Sequence, residues 1–365
     1  MTPTRVLIVD DSVVVRRLLS DIVSAHTDLE VAGTAATAPI GLQKLSQTPA
    51  DVVLLDVEMP EMDGIEAVRR IRATYPKLPV IMCSSLTERG ADVTLKALAA
   101  GASDYIAKPG ATGGGLDGFR NELVAKVRAL SGRAVSLPPA PRPSLPAPAA
   151  SLPRIIAARR TSAQPFTVLA IGCSTGGPNA LARLFQDLPG DLPVPILITQ
   201  HMPPLFTRLL AERLTASSRV KTFEAHDGMV VEAGKAYIAP GDWHMVAQRE
   251  GAAVKLQLHQ GPFENSCRPA VDVMFRSVAQ VWGSGVLATV LTGMGHDGTQ
   301  GARAIVAAGG LLVVQSPEDC VVGSMPKSVL AAGAADSSLP IDQLGPHLVS
   351  KLRASAVRTL QAQSG

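Results

Sequence analysis

A proline-rich stretch over residues 131–165 is the feature that most constrains how this chain folds. Eight residues of SGRAVSLPPAPRPSLPAPAASLPRIIAARRTSAQP are proline, and the stretch has little apolar periodicity. Such a segment buries too little apolar surface to offset the entropy of ordering. We therefore expect a linker over 131–165, acting as a tether or as a docking segment for a partner. It separates a domain over 1–130 from a domain over 166–355, with a tail over 356–365.

The charge distribution argues against nucleic acid as a partner. The chain carries a net charge of +3, but the linker alone holds five arginines and no acidic residue, whereas residues 1–130 carry 14 basic and 16 acidic side chains. Residues 166–365 carry 15 of each. A DNA-binding output domain would need a basic recognition helix. With 46% hydrophobic residues, each flanking block can form a buried core instead.

The cysteines and the hydropathy pattern indicate a cytoplasmic protein. No apolar run approaches the roughly 20 residues of a membrane-spanning helix, and the N-terminus is too short and too acidic for a signal peptide. We therefore expect no direct membrane insertion. The four cysteines are far apart and have no CxxC spacing, which favours a reducing compartment: Cys83, Cys173, Cys267 and Cys320.

The first block alternates short apolar runs with helical spacing. The helical segments include 13–24 and 64–72. This βα pattern, repeated five times, predicts a flavodoxin-like (βα)5 domain, with a parallel sheet covered by helices on both faces. The predicted strands are 5–9, 29–32, 52–55, 80–83 and 105–106.

Charged and hydroxyl side chains follow four of these strands. Because parallel strands end at the same edge of a sheet, we expect these side chains to lie close together. Gathered carboxylates repel one another unless a hard cation such as Mg²⁺ binds them. Alternatively, the two leading aspartates cap a helix, the third ends a strand, and the lysine points to solvent. The residues are Asp10, Asp11, Asp56, Ser84 and Lys108.

Together with MPEMDG at 59–64 and the Lys108-Pro109 pair, this set resembles the receiver domain of two-component response regulators over residues 5–128. The resemblance implies that Asp56 accepts a phosphoryl group from a sensor histidine kinase. It further implies that Asp11, Asp56 and the backbone carbonyl of Glu58 ligate Mg²⁺, while Asp10 acts through a bound water.

Three more receiver positions follow from the same resemblance. Ser84 and Lys108 would sense the phosphoryl group, and Tyr105 matches the family's switch aromatic. Serine at position 84, where many receivers have threonine, keeps the required hydroxyl. The family also has a cis peptide bond at the position of Lys108-Pro109.

The second block opens with IGCSTGGPN, residues 171–179, between a predicted strand over 167–171 and a predicted helix over 179–186. Ser174 then lies at a strand-to-helix turn, where free N–H groups and the helix dipole favour negative charge. The turn lacks the GK[ST] ending of a phosphate-binding loop, and it misses GxGxxG. It does match GxSxG, a short pattern with many chance matches.

A nucleophilic serine needs a base, and the base needs an orienting acid. His201 follows a predicted strand over 196–199, and Asp297 follows one over 285–291, so serine, histidine and aspartate lie at three strand ends. Their order differs from that of α/β-hydrolases. Alternatively, Ser174 serves the turn, His201 is structural, and Asp297 caps a helix over 299–308. No two histidines have helical metal-ligand spacing, so we expect no metal here.

Five blocks extend the pattern over roughly residues 166–353: IGCSTGGP, TQHMPPLFTRLLAERL, KAYIAPGDWHM, SCRPAVDVMF and LTGMGHDG. Behind a receiver and a linker, they closely resemble the chemotaxis protein-glutamate methylesterase family, whose members are also glutamine deamidases. The resemblance implies that Ser174 is the nucleophile, His201 the base and Asp297 its orienting acid. The backbone N–H of Met294 would then stabilise the oxyanion.

The same resemblance implies a doubly wound parallel-sheet esterase domain that needs no diffusible cofactor and acts on methyl-accepting chemoreceptors. A catalytically silent module that docks on receptors is the alternative. From the residues alone we expect β-hairpins appended over 229–258 and a helix over 269–282. Phe206 belongs either to the core or to a substrate contact.

Overall fold

The computed structural model describes residues 2–109, 115–132 and 164–363, and of residues 355–363 only the helical backbone. Most of the predicted linker therefore lies outside the described residues. No helix in the described part of the chain combines the length and apolarity that crossing a bilayer requires.

The first sheet has five parallel strands, as the βα pattern predicts, and their order is β2-β1-β3-β4-β5. The strands β3 and β4 are buried along their whole length, which explains why they read as continuous apolar runs. The strands are β1 Thr4–Val9, β2 Leu29–Ala35, β3 Val52–Asp56, β4 Val80–Ser84 and β5 Asp104–Ala107.

Five helices alternate with these strands, and side-chain caps define where several of them begin. Ser12 caps the first helix by accepting a hydrogen bond from Val15 N at 3.4 Å, so neither Asp10 nor Asp11 is its cap. Asp63 caps the third helix in the same way. The helices are α1 Val13–Ser24, α2 Ala38–Gln47, α3 Gly64–Thr74, α4 Glu88–Ala99 and α5 Gly115–Leu130.

The second sheet has seven parallel strands in the order β14-β13-β12-β6-β7-β9-β8, and β10 pairs with β11 in a separate antiparallel hairpin. The strands are β6 Val168–Cys173, β7 Ile196–Gln200, β8 Lys221–Glu224, β9 Lys235–Ile238, β10 His244–Glu250, β11 Ala253–His259, β12 Val286–Val290, β13 Leu311–Gln315 and β14 Ser337–Leu339. The helices are α6 Gly177–Asp187, α7 Phe206–Ser217, α8 Val271–Trp282, α9 Thr299–Ala307, α10 Ser324–Ala331 and α11 Ile341–Gln363.

Helices cover both faces of this second sheet. Alternate residues of β6 point to opposite sides: Leu169 and Ile171 belong to the core under α6, α7 and α11, whereas Val168 and Ala170 belong to the core under α8 and α9. The doubly wound prediction is confirmed. The helix α11 continues through Gln363, beyond the predicted domain end at residue 355.

The prediction of β-hairpins over 229–258 is correct only for its second half. Residues 235–238 form β9, which pairs in parallel with both β7 and β8 inside the main sheet. The reason is burial, because Ala236, Tyr237 and Ile238 are all buried and so lack the alternation of a hairpin with one solvated face.

The two domains contact each other through α4 and β5 on one side and α6 and α7 on the other. Asn179 in α6 donates hydrogen bonds to the carbonyl oxygens of Leu98, at 2.8 Å, and Ala102, at 3.4 Å. Arg213 in α7 donates to the carbonyl of Leu95 at 3.1 Å. The first domain therefore packs on the two helices that follow the first two strand ends of the predicted esterase site.

Candidate active site

Ser174 lies directly after β6, in the turn that leads into α6. Gly176 has φ of 79°, a left-handed conformation that favours glycine, and Pro178 lies in the first turn of the helix. The Ser174 N–H donates to the Thr292 carbonyl at 3.0 Å, which ties this turn to the end of β12. Within residues 164–363 the half-exposed Ser174 hydroxyl makes no hydrogen bond, so it is available to a ligand.

His201 and Asp297 are in direct contact at the carboxyl ends of β7 and β12, the strands near β6. The His201 Nε2–H donates to Asp297 Oδ2 at 2.8 Å. Because an ionised carboxylate only accepts, this contact places the ring proton on Nε2 and leaves the lone pair of a neutral ring on Nδ1. In the triad of the serine proteases the aspartate contacts Nδ1 and the serine contacts Nε2. In this protein the aspartate contacts Nε2, so Nδ1 is the nitrogen left for the serine.

Asp297 is buried and surrounded by hydrogen-bond donors. The N–H groups of Val271 and Asp272, the first two residues of α8, donate to it at 2.6 and 3.0 Å. Gly298 N and Asn265 Nδ2 donate as well. Burial alone would raise the pKa of Asp297, but the His201 contact and these N–H groups lower it to about 2. Asp297 therefore stays ionised and orients the ring.

The opposite nitrogen of His201 faces a thiol. Cys267 Sγ lies 3.5 Å from His201 Nδ1, and the cysteine is half-buried. Burial alone would lower the pKa of His201, but Cys267 and the Asp297 carboxylate together raise it to about 10.

Gln200 joins the backbones of the serine and the histidine. Its Nε2 donates to the carbonyl oxygens of Ser174 and His201, at 3.0 Å each. Gly177 allows this approach, because a Cβ there would stand 1.9 Å from Gln200 Oε1. The buried amide thus sets the separation of the β6 and β7 ends.

The second candidate site lies at the carboxyl edge of the first sheet. Lys108 Nζ contacts Asp10 Oδ2 and Asp56 Oδ1, each at 2.8 Å. The ligand atoms of Asp10, Asp11 and Asp56 lie within 4.8 Å of one another, with Asp11 exposed. Burial raises the pKa of Asp56, although Lys108 opposes the change. A cluster of this composition suits a hard divalent cation.

The side chains of three other predicted residues, Ser84, Tyr105 and Glu58, make their contacts elsewhere than with the carboxylates of this cluster. The buried Ser84 hydroxyl is turned toward α4, where it contacts Thr94 Oγ1 at 2.6 Å and donates to the Gly90 carbonyl at 3.1 Å. Tyr105 is buried, and its ring stacks on Phe206. The exposed Glu58 carboxylate pairs with Arg89 at 3.2 Å.

The expected cis bond at Lys108-Pro109 is wrong for this structure. Among the described residues the cis bond is at Arg268-Pro269, and Lys108-Pro109 has the trans isomer that X–Pro bonds ordinarily favour.

Comparison with known proteins adds what the geometry alone leaves open. A family model described as "CheB methylesterase" matches residues 169–348, and one described as "Response regulator receiver domain" matches residues 6–114. A relative from Trichodesmium erythraeum, named protein-glutamate methylesterase/protein-glutamine glutaminase, is 45% identical over 359 residues, covering 96% of this chain and 100% of the relative. The chain belongs to the CheB methylesterase family.

Further relatives of this family agree with that assignment. A protein of the same name from a Nocardioides species is 47% identical, covering 96% of each chain. The solved CheB methylesterase catalytic domain of Thermotoga maritima is 41% identical, with a TM-score of 0.50, and covers 51% of this chain and 98% of its own. The predicted family and its two-part architecture are confirmed.

Three side chains of the CheB site could not be assigned a role from the sequence. Gln200, Asn265 and Cys267 contact the serine, the histidine or the aspartate, yet no role was predicted for them. A signal did exist, because Gln200 and Cys267 lie inside the blocks TQHMPPLFTRLLAERL and SCRPAVDVMF. Those blocks indicate the family, but they do not predict which contacts each side chain makes.

Proposed function

We propose that this protein is a phosphorylation-regulated protein-glutamate methylesterase that also deamidates glutamine, with Ser174 as its nucleophile. The observation that carries the proposal is the His201–Asp297 contact, at 2.8 Å, at the same edge of the sheet as Ser174, whose hydroxyl makes no hydrogen bond within residues 164–363. The substrates would be methyl-accepting chemoreceptors, since the relatives are named for glutamate methyl ester and glutamine chemistry.

The first half of the reaction forms an acyl-enzyme. Ser174 Oγ attacks the γ-carbonyl carbon of a glutamate methyl ester, and its proton passes to His201 Nδ1, the nitrogen that Asp297 leaves free. Asp297 then stabilises the imidazolium. Breaking the C–O bond transfers this proton to the leaving methoxide, which departs as methanol; from a glutamine, ammonia departs instead.

Two backbone N–H groups suit the developing oxyanion. In the described part of the chain neither Met294 N nor Thr175 N donates a hydrogen bond to the protein. Thr175 follows the nucleophile at the start of α6, where the helix dipole also favours negative charge. Water, activated by His201, then hydrolyses the acyl-enzyme to free glutamate and restores the Ser174 hydroxyl.

The esterase proposal is tested by methanol release from membranes that hold methylated chemoreceptors. Ser174→Ala should abolish release, whereas His296→Ala, a change at the exposed neighbour of Asp297, should leave most of it. Undiminished release by Ser174→Ala would refute the nucleophile. No release by the unaltered protein, even after phosphorylation, would favour the silent docking module.

We also infer that the first domain controls the second through phosphorylation of Asp56. Asp11 and Asp56 would ligate Mg²⁺ and Asp10 would act through a bound water, since their carboxylate oxygens lie within 4.8 Å of one another. The backbone carbonyl of Glu58 would be a further ligand. Bound there, Mg²⁺ would neutralise charge on a transferring phosphoryl group. Lys108, which contacts Asp56, would pair with the phosphoryl oxygens, while Ser84 and Tyr105 would respond to them. A sensor histidine kinase would be the phosphodonor.

The phosphorylation proposal predicts that a small-molecule phosphodonor stimulates ester hydrolysis by the unaltered chain in the presence of Mg²⁺. Asp56→Asn should lose this stimulation, because an amide cannot accept the phosphoryl group. Stimulation that persists in Asp56→Asn would exclude Asp56 as the acceptor.

We propose that the two activities belong to two domains, over residues 1–130 and 166–355, joined by the linker over 131–165.

A further inference from the structure

We propose that Cys267 and His201 form an inhibitory site for a thiophilic metal ion such as Zn²⁺ or Cd²⁺. The thiol Sγ lies 3.5 Å from His201 Nδ1. Within the described ranges, His201, Cys267 and Asp297 also form one of two groups whose potential metal-ligating atoms lie within 4.8 Å of one another. The donors are a thiolate and an imidazole, which suit Zn²⁺ rather than the hard cation of the first domain.

The separation of the two donor atoms fits a single tetrahedral ion. Zinc binds thiolate sulfur at about 2.3 Å and imidazole nitrogen at about 2.0 Å. At a tetrahedral angle these bond lengths give a nitrogen–sulfur distance of about 3.5 Å, which is the distance between His201 Nδ1 and Cys267 Sγ. An ion could therefore bridge the pair without moving either side chain far.

Asp297 does not ligate the ion but holds the opposite nitrogen, Nε2, of the ligating His201 ring. It accepts the Nε2–H of His201 at 2.8 Å, and its oxygens also accept from Asn265 and from backbone N–H groups. A carboxylate that holds the far nitrogen of a metal-bound histidine fixes the ring and increases its basicity. The protein thus supplies two ligands, and water completes the coordination, so the ion should be removable by a chelator.

The loop that carries Cys267 is anchored next to the ring. Glu264 and Cys267 exchange two backbone hydrogen bonds, of 3.1 and 2.9 Å. Arg276 in α8 holds the Glu264 carboxylate with two contacts of 2.6 Å. Asn265 in turn contacts Asp297. These bonds hold the half-buried thiol near Nδ1.

Occupancy would stop ester hydrolysis, because the ion takes the lone pair with which His201 would accept the serine proton. This consequence rests on the proposed function, whereas binding of the ion does not. The thiol loses its proton when it ligates, so affinity should increase with pH.

Binding is tested with Cd²⁺, whose thiolate bond gives an ultraviolet charge-transfer band. The full-length chain carrying Asp56→Asn, which weakens the carboxylate site, is treated with chelator and titrated with Cd²⁺. We expect the band to saturate at one equivalent. Cys267→Ala should lose the band, and Cys320→Ala should keep it, since Cys320 is also half-buried but contacts the Ser316 carbonyl. His201→Ala should weaken the affinity at least tenfold.

An equal band in Cys267→Ala, or none in the parent protein, would overturn the proposal. Cys267→Ser provides a second variant if alanine disturbs the loop, and a thermal melt checks that each variant folds.

The activity arm uses Zn²⁺ and methanol release by the unaltered chain. We expect inhibition that a chelator reverses, with a midpoint at least tenfold higher in Cys267→Ser than in Cys320→Ser. Cadmium bound at Cys267 without loss of hydrolysis would contradict the inhibitory role and the assignment of His201 as base, but would leave the ion site standing. If no preparation hydrolyses the ester, the proposed function fails, while the cadmium band still decides whether the site exists.

Discussion

The ring of Tyr105, in β5 of the first domain, stacks on the ring of Phe206, the first residue of α7, with centroids 4.8 Å apart and planes within 10°. Phe206 is fully buried, so of the two expectations for it the core position is correct. Tyr105 lies three residues before Lys108, which contacts Asp56, and Phe206 lies five residues after His201. The stack therefore joins β5, which leads into the first candidate site, to the start of α7, which follows the second.

Weakening the domain contact should raise the resting activity. Arg213→Ala removes a hydrogen bond from α7 to the Leu95 carbonyl in α4. If the first domain restrains the esterase, methanol release by the unphosphorylated chain should increase about fivefold or more. Arg208→Ala is the matched control, because its ion pair with Glu88 across the same contact is exposed and contributes little. Lower activity in Arg213→Ala would mean that the contact assists the esterase.

Removing the first domain tests the same restraint more completely. A fragment that begins near Gln164 should hydrolyse methyl esters faster than the unphosphorylated full-length chain. The Thermotoga maritima relative was solved as a catalytic domain alone, which supports independent folding of this part. A fragment that is no faster than the resting chain would rule out steric inhibition and favour activation by positive contacts.

The strand ends could be predicted from the sequence, because buried parallel strands read as apolar runs and end at a common edge. That rule located Ser174, His201 and Asp297 beyond the carboxyl ends of β6, β7 and β12. The strand β9 was misassigned because a short buried run does not reveal its pairing partner.

The directions in which the side chains point could not be predicted from the sequence. Nothing in QHMPP says that the Gln200 amide turns back to the Ser174 and His201 carbonyls. The contact of Cys267 with His201 depends on a loop between β11 and α8 that brings the thiol to the residue after β7. Such contacts follow from tertiary packing, which local periodicity does not encode.

Gln200 should act as a positioning residue. Gln200→Leu removes the side-chain donor from two carbonyl oxygens, of which that of Ser174 still accepts from Gly177 N, and should cost about 1–3 kcal/mol of stability. We expect kcat to decrease tenfold or more with a smaller change in KM, because the separation of Ser174 and His201 is no longer fixed. Methanol release and a thermal melt measure the two effects.

Thr199→Val is the matched control for Gln200→Leu. Thr199 precedes Gln200 in β7, and its buried hydroxyl has no hydrogen-bond partner among the described residues, so valine should keep both the rate and the fold. Equal losses of kcat in the two variants would indicate general damage to β7 instead of a positioning role.

Asp297→Asn should decrease kcat by about 10³ or more, because an amide cannot stabilise the imidazolium as a carboxylate does. Val271 N and Asp272 N donate to different oxygens of the carboxylate, so the single amide oxygen keeps one of these bonds, and we expect the variant to fold with reduced stability. Stopped assays of methanol release and the circular dichroism spectrum check these outcomes. Nearly full activity would mean that Asp297 only caps α8.

The pH profile of kcat/KM should report His201. A general base must be neutral, so activity should increase as pH rises through its pKa and vanish below it. The pKa of His201 is raised by Cys267 and Asp297 despite burial, so the ascending limb should lie above the ordinary histidine value of about 6.5. Measuring methanol release across a range of pH gives the midpoint of this ascending limb.

Cys267→Ser separates the contribution of the thiol to this profile. Cys267 raises the pKa of His201, so removal of the thiol should lower that pKa and move the ascending limb to lower pH. Cys320→Ser should leave the limb where it is, because Cys320 Sγ contacts Ser316 and not His201. A limb that stays in place in Cys267→Ser would show that the thiol does not act on His201, and Asp297 alone would then account for the raised pKa.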